Sequence, residues 1–290
     1  MHLDALMKQP LSLPTVPKIA ARLISTFDQD EVDLQDIARC ISTDPVLTAK
    51  LLKVANSAFF GLSRAASSVS DAINVLGLVK VRALVLGTIL DVSFHSVPGM
   101  KLEQFWRYSL NTATLARTIC LPLRIDENTA FTAGLLHGIG ELIMHAGMPE
   151  AMCELNQHVD PLALRRGEAE TAMFGYTFAD VGASLARSWK FPKRIVDAIE
   201  HQLMPFENGN YEPISGAIHL AAWRCRAEES NLSGNQLVNT YPDTIGIALG
   251  VDPDSLLGGV TIVRQTADGP VTPGCPEHAE HADHHHTVAA

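Results

Sequence analysis

The segment GLLHGIGEL, residues 134–142, contains the residue best suited to chemistry in this sequence, His137. A histidine followed directly by an aspartate offers two ligands to a divalent metal ion, and a metal-bound water is a strong nucleophile for hydrolysis at neutral pH. Here the next residue is Gly138, which has no side-chain donor atom. Whether His137 belongs to a metal site therefore depends on ligands from elsewhere in the chain.

The sequence contains no other recognisable catalytic motif. It lacks the GxSxG nucleophile elbow, the GxxxxGK[ST] phosphate-binding loop and the HExxH zinc motif. Near Cys275, five histidines fall within nine positions, namely His278, His281, His284, His285 and His286. Such a cluster binds Ni²⁺ or Zn²⁺ weakly, so a physiological metal role and an incidental solvated tail both remain open. Neither would be a catalytic site.

The elements that must position His137 are helices. Apolar residues recur at helical spacing from end to end, and no strand-like alternation is present. Asp33 is a predicted helix cap, as is Asp44, which precedes Pro45. Asp126 is predicted to begin one helix that runs through ENTAFTAGLLHGIGELIMHAG and so includes His137. Gly138 would weaken that helix by about 1 kcal/mol relative to alanine. Further helices are predicted at about 149–159, 161–174, 177–190, 192–203 and 213–229, followed by a pair of short segments to about 264.

Composition narrows the class of protein. The 290 residues are 47% hydrophobic, 6% aromatic and 19% charged, which is typical of an aliphatic helical domain. The net charge of −10 argues against broad binding to a nucleic acid backbone. The longest apolar stretch is too short to span a bilayer, and no secretory leader is recognised. The five cysteines show no CxxC spacing. We therefore expect a cytoplasmic protein without a membrane or nucleic acid partner.

Several separated blocks resemble the HDOD family, the HD-related output domains of bacterial signalling proteins. In chain order, the blocks are LPTVP (13–17), DPVLTAKLLKVANSAFFG (44–61), SSVSDAINVLGLVKVRALVL (67–86), FWRYSLNTATLAR (105–117), AFTAGLLHGIGELIM (130–144), FGYTFADVGASLARSWKFP (174–192) and IHLAAW (218–223). The resemblance implies an all-α fold in which an N-terminal helical sub-bundle packs on a bundle like that of HD phosphohydrolases.

The resemblance also suggests how the chain is divided. An HDOD domain is predicted over residues 12–207, with sub-bundles at about 12–95 and 96–207 that separate at HSVPGM. Helices at 208–264 are expected to complete the HD-like bundle. Residues 265–290 are low in hydrophobic residues and are expected to be a disordered tail. Receiver, GGDEF or EAL domains would not fit beside these segments, so a stand-alone member of the family is expected.

The HD enzymes bind metal with a histidine, a His-Asp pair and a distant aspartate. The corresponding positions here hold Tyr108, His137, Gly138 and Ala222, so one of four ligands is retained. Phe178 and the pair Gln202–Leu203 fall where the related HD-GYP phosphodiesterases add histidines. One neutral imidazole cannot replace the hydration shell of a metal ion, because catalytic sites need about three protein ligands. The resemblance therefore implies a degenerate site, with no catalytic residue, no bound metal and no cofactor.

The same region could still bind a ligand. His137 is predicted either to hydrogen-bond a carbonyl in a helix interface or to line a small-molecule pocket. Arg107 and Tyr108 would face that region, and an arginine there could hold a phosphate or carboxylate. Alternatively, Arg107 is a surface residue beside a buried Trp106.

Two further polar residues are candidates in the block VANSAFFG. Asn56 and Ser57 would satisfy backbone groups where a helix ends, or would serve an interaction surface. Together with His137, Arg107 and Tyr108 they form the predicted set of ligand-binding residues.

Two classes of function remain after these observations. The favoured one is a non-enzymatic signal-transduction module that acts by binding signalling proteins, a small molecule or a nucleotide. The alternative is a metal-dependent phosphohydrolase, acting on nucleotides or cyclic dinucleotides, with a ligand set that the motifs do not reveal.

Overall fold

The computed structural model of the protein describes residues 1–9, 17–27, 29, 31–94, 96–206 and 211–258. Within these ranges every regular element is an α-helix, as predicted. The helices are α1 (Leu3–Met7), α2 (Lys18–Ser25), α3 (Leu34–Ser42), α4 (Pro45–Ala55), α5 (Val69–Leu76), α6 (Leu78–Ser93), α7 (Leu102–Leu123), α8 (Glu127–Leu136), α9 (Ile139–Gly147), α10 (Pro149–Asn156), α11 (Arg166–Phe174), α12 (Phe178–Ser188), α13 (Lys193–Glu200), α14 (Pro213–Glu229), α15 (Asn235–Asn239), α16 (Asp243–Leu249) and α17 (Asp254–Leu257). None of them is long and apolar enough to cross a membrane.

The predicted caps begin their helices as expected. The carboxylate of Asp33 accepts hydrogen bonds from the first backbone amides of α3, and Asp44 does the same for α4, which opens with Pro45. Asp126 caps α8 through the amides of Asn128 and Thr129. These bonds satisfy amides that have no partner within the helix, so they set the helix starts locally.

Helix α6 joins the two sub-bundles. It packs on α2, α4 and α5 of the N-terminal sub-bundle and on α8 of the second one. Its residues from Val81 to Asp91 are all buried. Because this stretch is buried on every side, α6 lies between the two sub-bundles and contributes to the core of both.

The second sub-bundle is built around α7, α8 and α14, with α9 packed on α12. Its helices approach closely because glycines lie at the crossings. A Cβ atom added at Gly134 would lie 2.9 Å from the Cα of Ala113 in α7. One added at Gly140 would lie 1.9 Å from the carbonyl oxygen of Phe178 in α12. The glycines of GLLHGIGEL are therefore packing residues on both sides of His137.

The single helix predicted from Asp126 onward is wrong, because it is interrupted at His137 and Gly138. Helix α8 ends at Leu136 and α9 begins at Ile139. Gly138 has φ −93° and ψ 1°, outside the helical region. The carbonyl of His137 accepts a hydrogen bond from the side-chain amide of Gln202 at 2.8 Å. Gln202 is distant in sequence, so a tertiary contact is made at the point where the helix is interrupted.

The helix predicted over 161–174 begins later, at Arg166. The preceding segment is held by arginines instead of by helical amides. Arg166 donates to the carbonyl of Val159 at 2.8 Å, and Arg226 donates to that of Ala163 at 2.7 Å. Residues 158–165 therefore form a loop anchored from both sides.

Three smaller features also differ from expectation. Three short helices, α15 to α17, follow α14 instead of a pair. Trp106 is half-buried and not buried as expected, whereas the nearby aromatic residues Phe105 and Tyr108 are buried. The His-rich stretch predicted to be a tail, residues 265–290, lies outside the described residues, as does most of the block LPTVP.

Candidate functional site

His137 and Tyr108 form a buried pair where α8 meets α7. The Nδ1 atom of His137 lies 2.6 Å from the carbonyl oxygen of Gly134, which can only accept, so Nδ1 carries the proton. The Nε2 atom then accepts from the Tyr108 hydroxyl at 2.7 Å. Burial lowers the pKa of His137 to about 3, and the imidazole is therefore neutral at pH 7. The hydrogen bond to a carbonyl that was predicted for His137 is present.

Arg226 of α14 joins this pair and forms a cluster with it. Its Nε donates to the Tyr108 hydroxyl at 2.9 Å, and its guanidinium lies 5.1 Å from the ring centroid of Phe178. Hydrogen bonds therefore run from Arg226 through Tyr108 to His137 and end on the Gly134 carbonyl. Burial raises the pKa of Tyr108, so the phenol stays protonated and donates to the imidazole. The sequence did not point to Arg226.

The other positions of the HD pattern lie near this cluster without donor atoms. Ala222 is half-buried on α14, one turn before Arg226. A Cβ atom added at Gly138 would lie 3.2 Å from the ring of Phe105. Within the described ranges, no group of three His, Cys, Asp or Glu side chains is arranged to hold a metal ion.

A second buried cluster lies beside the first. Arg166, which is fully buried, donates from Nε to Glu141 and to Glu170, in both cases at 3.0 Å. The other oxygen of Glu170 accepts from the backbone amide of Phe178 at 2.7 Å and so caps α12. Burial and the neighbouring Glu141 raise the pKa of Glu170 well above its usual value. The spacing of Arg166 and Glu170 by four residues could have indicated an ion pair, but not its burial.

The remaining predicted residues are engaged elsewhere. Arg107 pairs with Glu229 at 3.1 Å, and the two side chains are 16% and 14% exposed, so Arg107 is not a simple surface residue. The side-chain amide of Asn56 donates to the carbonyl of Ala66 and accepts from its amide, at 2.9 and 2.8 Å. The hydroxyl of Ser57 donates to the carbonyl of Val54. Asn56 and Ser57 thus bind local backbone in the N-terminal sub-bundle, away from His137.

A cleft of about 1330 Å³ opens between α14 and the loop 158–165. None of the five predicted ligand-binding residues is among the described residues that line it. Its walls include His219, Ala222 and Arg226 of α14, together with Gln202 and Phe178. The spacing of His219, Ala222 and Arg226 places them on one helix face, a pattern that was visible in the sequence but carried no chemistry by itself.

Known proteins are similar to this chain in sequence and in fold. The HDOD domain family model matches residues 13–205. An uncharacterized protein of Treponema pallidum is 25% identical over 212 residues, which are 72% of this chain but 41% of that protein, so the chain spans well under half of its relative. A crystal structure from Shewanella amazonensis, described as a phosphohydrolase, is 26% identical, has a TM-score of 0.71 and is matched over 88% of this chain and 91% of the other. An HDOD domain protein of unknown function from Geobacter sulfurreducens is also 26% identical, with a TM-score of 0.70 and coverage of 88% and 90%. With the family model matching two thirds of its length and the helical sub-bundles in place, this chain belongs to the HDOD domain family.

Proposed function

We propose that this chain is a cytoplasmic regulatory module of signal transduction that works by binding a protein or a small ligand and does not hydrolyse phosphate esters. The observation that carries the proposal is the Arg226–Tyr108–His137 cluster. The one retained HD ligand, His137, has both ring nitrogens occupied by hydrogen bonds. A guanidinium donates to the second residue of the cluster. A site closed in this way serves packing and not metal binding.

The residues present do not fit the metal ion that HD enzymes hold. A divalent cation needs several neutral or anionic donors within about 2.0–2.6 Å. Gly138 and Ala222 have none, and a tyrosine protonated at neutral pH is a poor ligand. The charge of Arg226 would also repel a cation at this position. We therefore derive no hydrolytic step through a metal.

A direct test combines metal analysis with assays of hydrolysis. Because the tail histidines bind metal by themselves, the full chain is prepared with His278, His281, His284, His285 and His286 replaced by serine. We expect far less than one equivalent of Mn²⁺, Fe²⁺ or Zn²⁺ by elemental analysis. We also expect no turnover of cyclic dinucleotides or nucleotides above the blank with Mn²⁺, Mg²⁺ or Fe²⁺.

His137→Asn in the same background is the matched control. Asparagine can keep the hydrogen bond to Gly134 and lacks the Nε2 atom. The phosphohydrolase alternative would be favoured if the parent protein held one equivalent of metal that the His137→Asn variant lacked. It would also be favoured if the variant lost turnover that the parent showed. We test this alternative because a similar protein, from Shewanella amazonensis, is described as a phosphohydrolase.

The part of the chain that binds the partner can be located by deletion. Residues 266–290 have few apolar side chains, which anchor specific interfaces, and the net charge of −10 favours a basic or apolar partner. After a partner is identified by crosslinking in the native host, we expect deletion of these residues to change its affinity by no more than a few-fold. Loss of binding upon deletion, with an unchanged melting temperature, would place the interface in the tail.

A further inference from the structure

Three polar atoms of residues that line the cleft beside α14 have no hydrogen-bond partner among the described residues. Gln202 is 2% exposed, and its Nε2 donates both protons, to the carbonyls of His137 and Ile199 at 2.8 Å. Arg226 is 5% exposed and uses Nε and Nη1. Within the described residues, this leaves the oxygen Oε1 of Gln202 and the nitrogen Nη2 of Arg226 without a partner. Both residues line the cleft, and neither of these two atoms is fully enclosed by protein.

His219 provides the third atom. Its Nδ1 lies 2.8 Å from the backbone carbonyl of Gln202, so Nδ1 carries the proton. Burial lowers the pKa of His219, with the nearby charge of Arg226 acting in the same direction. The ring is therefore neutral at pH 7, and its Nε2 is a hydrogen-bond acceptor with no partner in the described part of the chain.

The arrangement of these atoms selects the kind of ligand. One charged donor, Arg226, faces the cleft together with two acceptors, Gln202 and His219. The charge of Arg226 already interacts with Glu141 and Glu170. An anion would meet the lone pairs of both acceptors, so a buried phosphate or carboxylate is disfavoured. A neutral group with a carbonyl next to an N–H can accept from Arg226 and donate to one of the two acceptors.

The cleft also favours a flat group. The aromatic residues Phe105, Phe178 and Trp223 line it, and Ala222 leaves space between His219 and Arg226 on α14. Among the described residues that line the cleft, Arg165 pairs with Glu168, and Glu229 pairs with Arg107. The volume of about 1330 Å³ accommodates a one- or two-ring group with its substituents.

We infer that this cleft is a binding site for a neutral, planar lactam, whose carbonyl accepts from Arg226 and whose N–H donates to His219 or Gln202. The inference rests on the proposed function, because a regulatory module responds to a ligand that it binds without consuming it. Two sources share this chemistry, a nucleobase with a lactam edge and a small cyclic peptide.

Titration of the full-length protein with defined probes tests the site. Guanosine and cyclo(Gly-Gly) carry the lactam, adenosine lacks the carbonyl, and inorganic phosphate is the anion. Binding is followed in ¹H–¹⁵N spectra, where the indole N–H of Trp223 reports on the cleft. We expect at least one lactam probe to shift this signal, with at least fivefold weaker binding of adenosine and no competition by phosphate. Binding of guanosine only would identify a nucleobase as the source of the lactam, and binding of cyclo(Gly-Gly) only would identify a cyclic peptide.

Two variants and a control separate binding from folding. Ala222→Leu places a larger side chain between His219 and Arg226 and should weaken lactam binding at least tenfold. Ala151→Leu, at a half-buried alanine of α10 away from the cleft, should change it less than twofold. His219→Asn keeps a donor at the place of Nδ1 and removes the acceptor, which should weaken binding at least threefold even if Ala222→Leu does not fold.

Specific outcomes overturn the inference. They are the absence of binding by both lactam probes, unchanged binding in a folded Ala222→Leu or His219→Asn protein, and displacement of the lactam by phosphate. None of them bears on hydrolysis, since guanosine and cyclo(Gly-Gly) contain no phosphate ester. Turnover in the assays of phosphate esters would instead refute the proposed function and leave the binding data standing.

Discussion

Replacing Arg166 with methionine is expected to lower the free energy of unfolding by about 3–5 kcal/mol. The guanidinium is fully buried and donates to both Glu141 and Glu170, whose side chains are at most 1% exposed. Methionine fills much of the volume but leaves two buried carboxyl groups without their cation. It also releases the Val159 carbonyl and so loosens the loop 158–165.

The neighbouring Arg165 is the matched control. It also forms an ion pair with a glutamate, Glu168 at 3.0 Å, but the side chains are 82% and 71% exposed. Exposed ion pairs contribute about 0–1 kcal/mol, so Arg165→Met should change the free energy of unfolding by less than about 1 kcal/mol. Urea unfolding monitored by circular dichroism measures both variants. Similar losses in the two proteins would mean that the buried cluster contributes no more than a surface pair.

Acid is expected to destabilise this protein through His137. The pKa of His137 is about 3 in the folded protein, because of burial, and about 6.5 when the residue is exposed. Between these values the unfolded chain binds a proton that the folded chain does not. The contribution of His137 is therefore fully present above about pH 6.5 and is lost progressively as the pH falls towards 3. At about pH 4 this loss amounts to roughly 3 kcal/mol relative to pH 7.

His137→Asn isolates this contribution from those of the other titrating groups, which are common to both proteins. The variant loses the hydrogen bond from Tyr108 and should be less stable by about 1–3 kcal/mol at pH 7. Its stability should nevertheless fall less steeply than that of the parent between pH 7 and 4. Equal slopes in the two proteins, measured by urea unfolding at each pH, would show that His137 is accessible to protons in the folded state.

Local chemistry explains why much of the fold could be predicted. Helix caps at Asp33, Asp44 and Asp126 involve amides two or three residues away, so they are set within one turn of chain. The apolar spacing that predicts helices also depends on near neighbours. The absence of donor atoms at Gly138 and Ala222 is a property of residue type. The helical class and the absence of side-chain donor atoms at these two positions could therefore be predicted from the sequence alone.

Only the tertiary structure determined which hydrogen bonds the polar groups of the site form. Arg226 reaches Tyr108 across 118 positions of sequence, and Gln202 takes the carbonyl of His137 across 65. These contacts lie where the helix is interrupted at His137, and in the described part of the chain Arg226, Gln202 and His219, which line the cleft, each keep one polar atom without a partner. A spacing pattern contains no information on such pairs, because hydrogen bonds between distant segments form only where the packing of several helices brings them within about 3 Å.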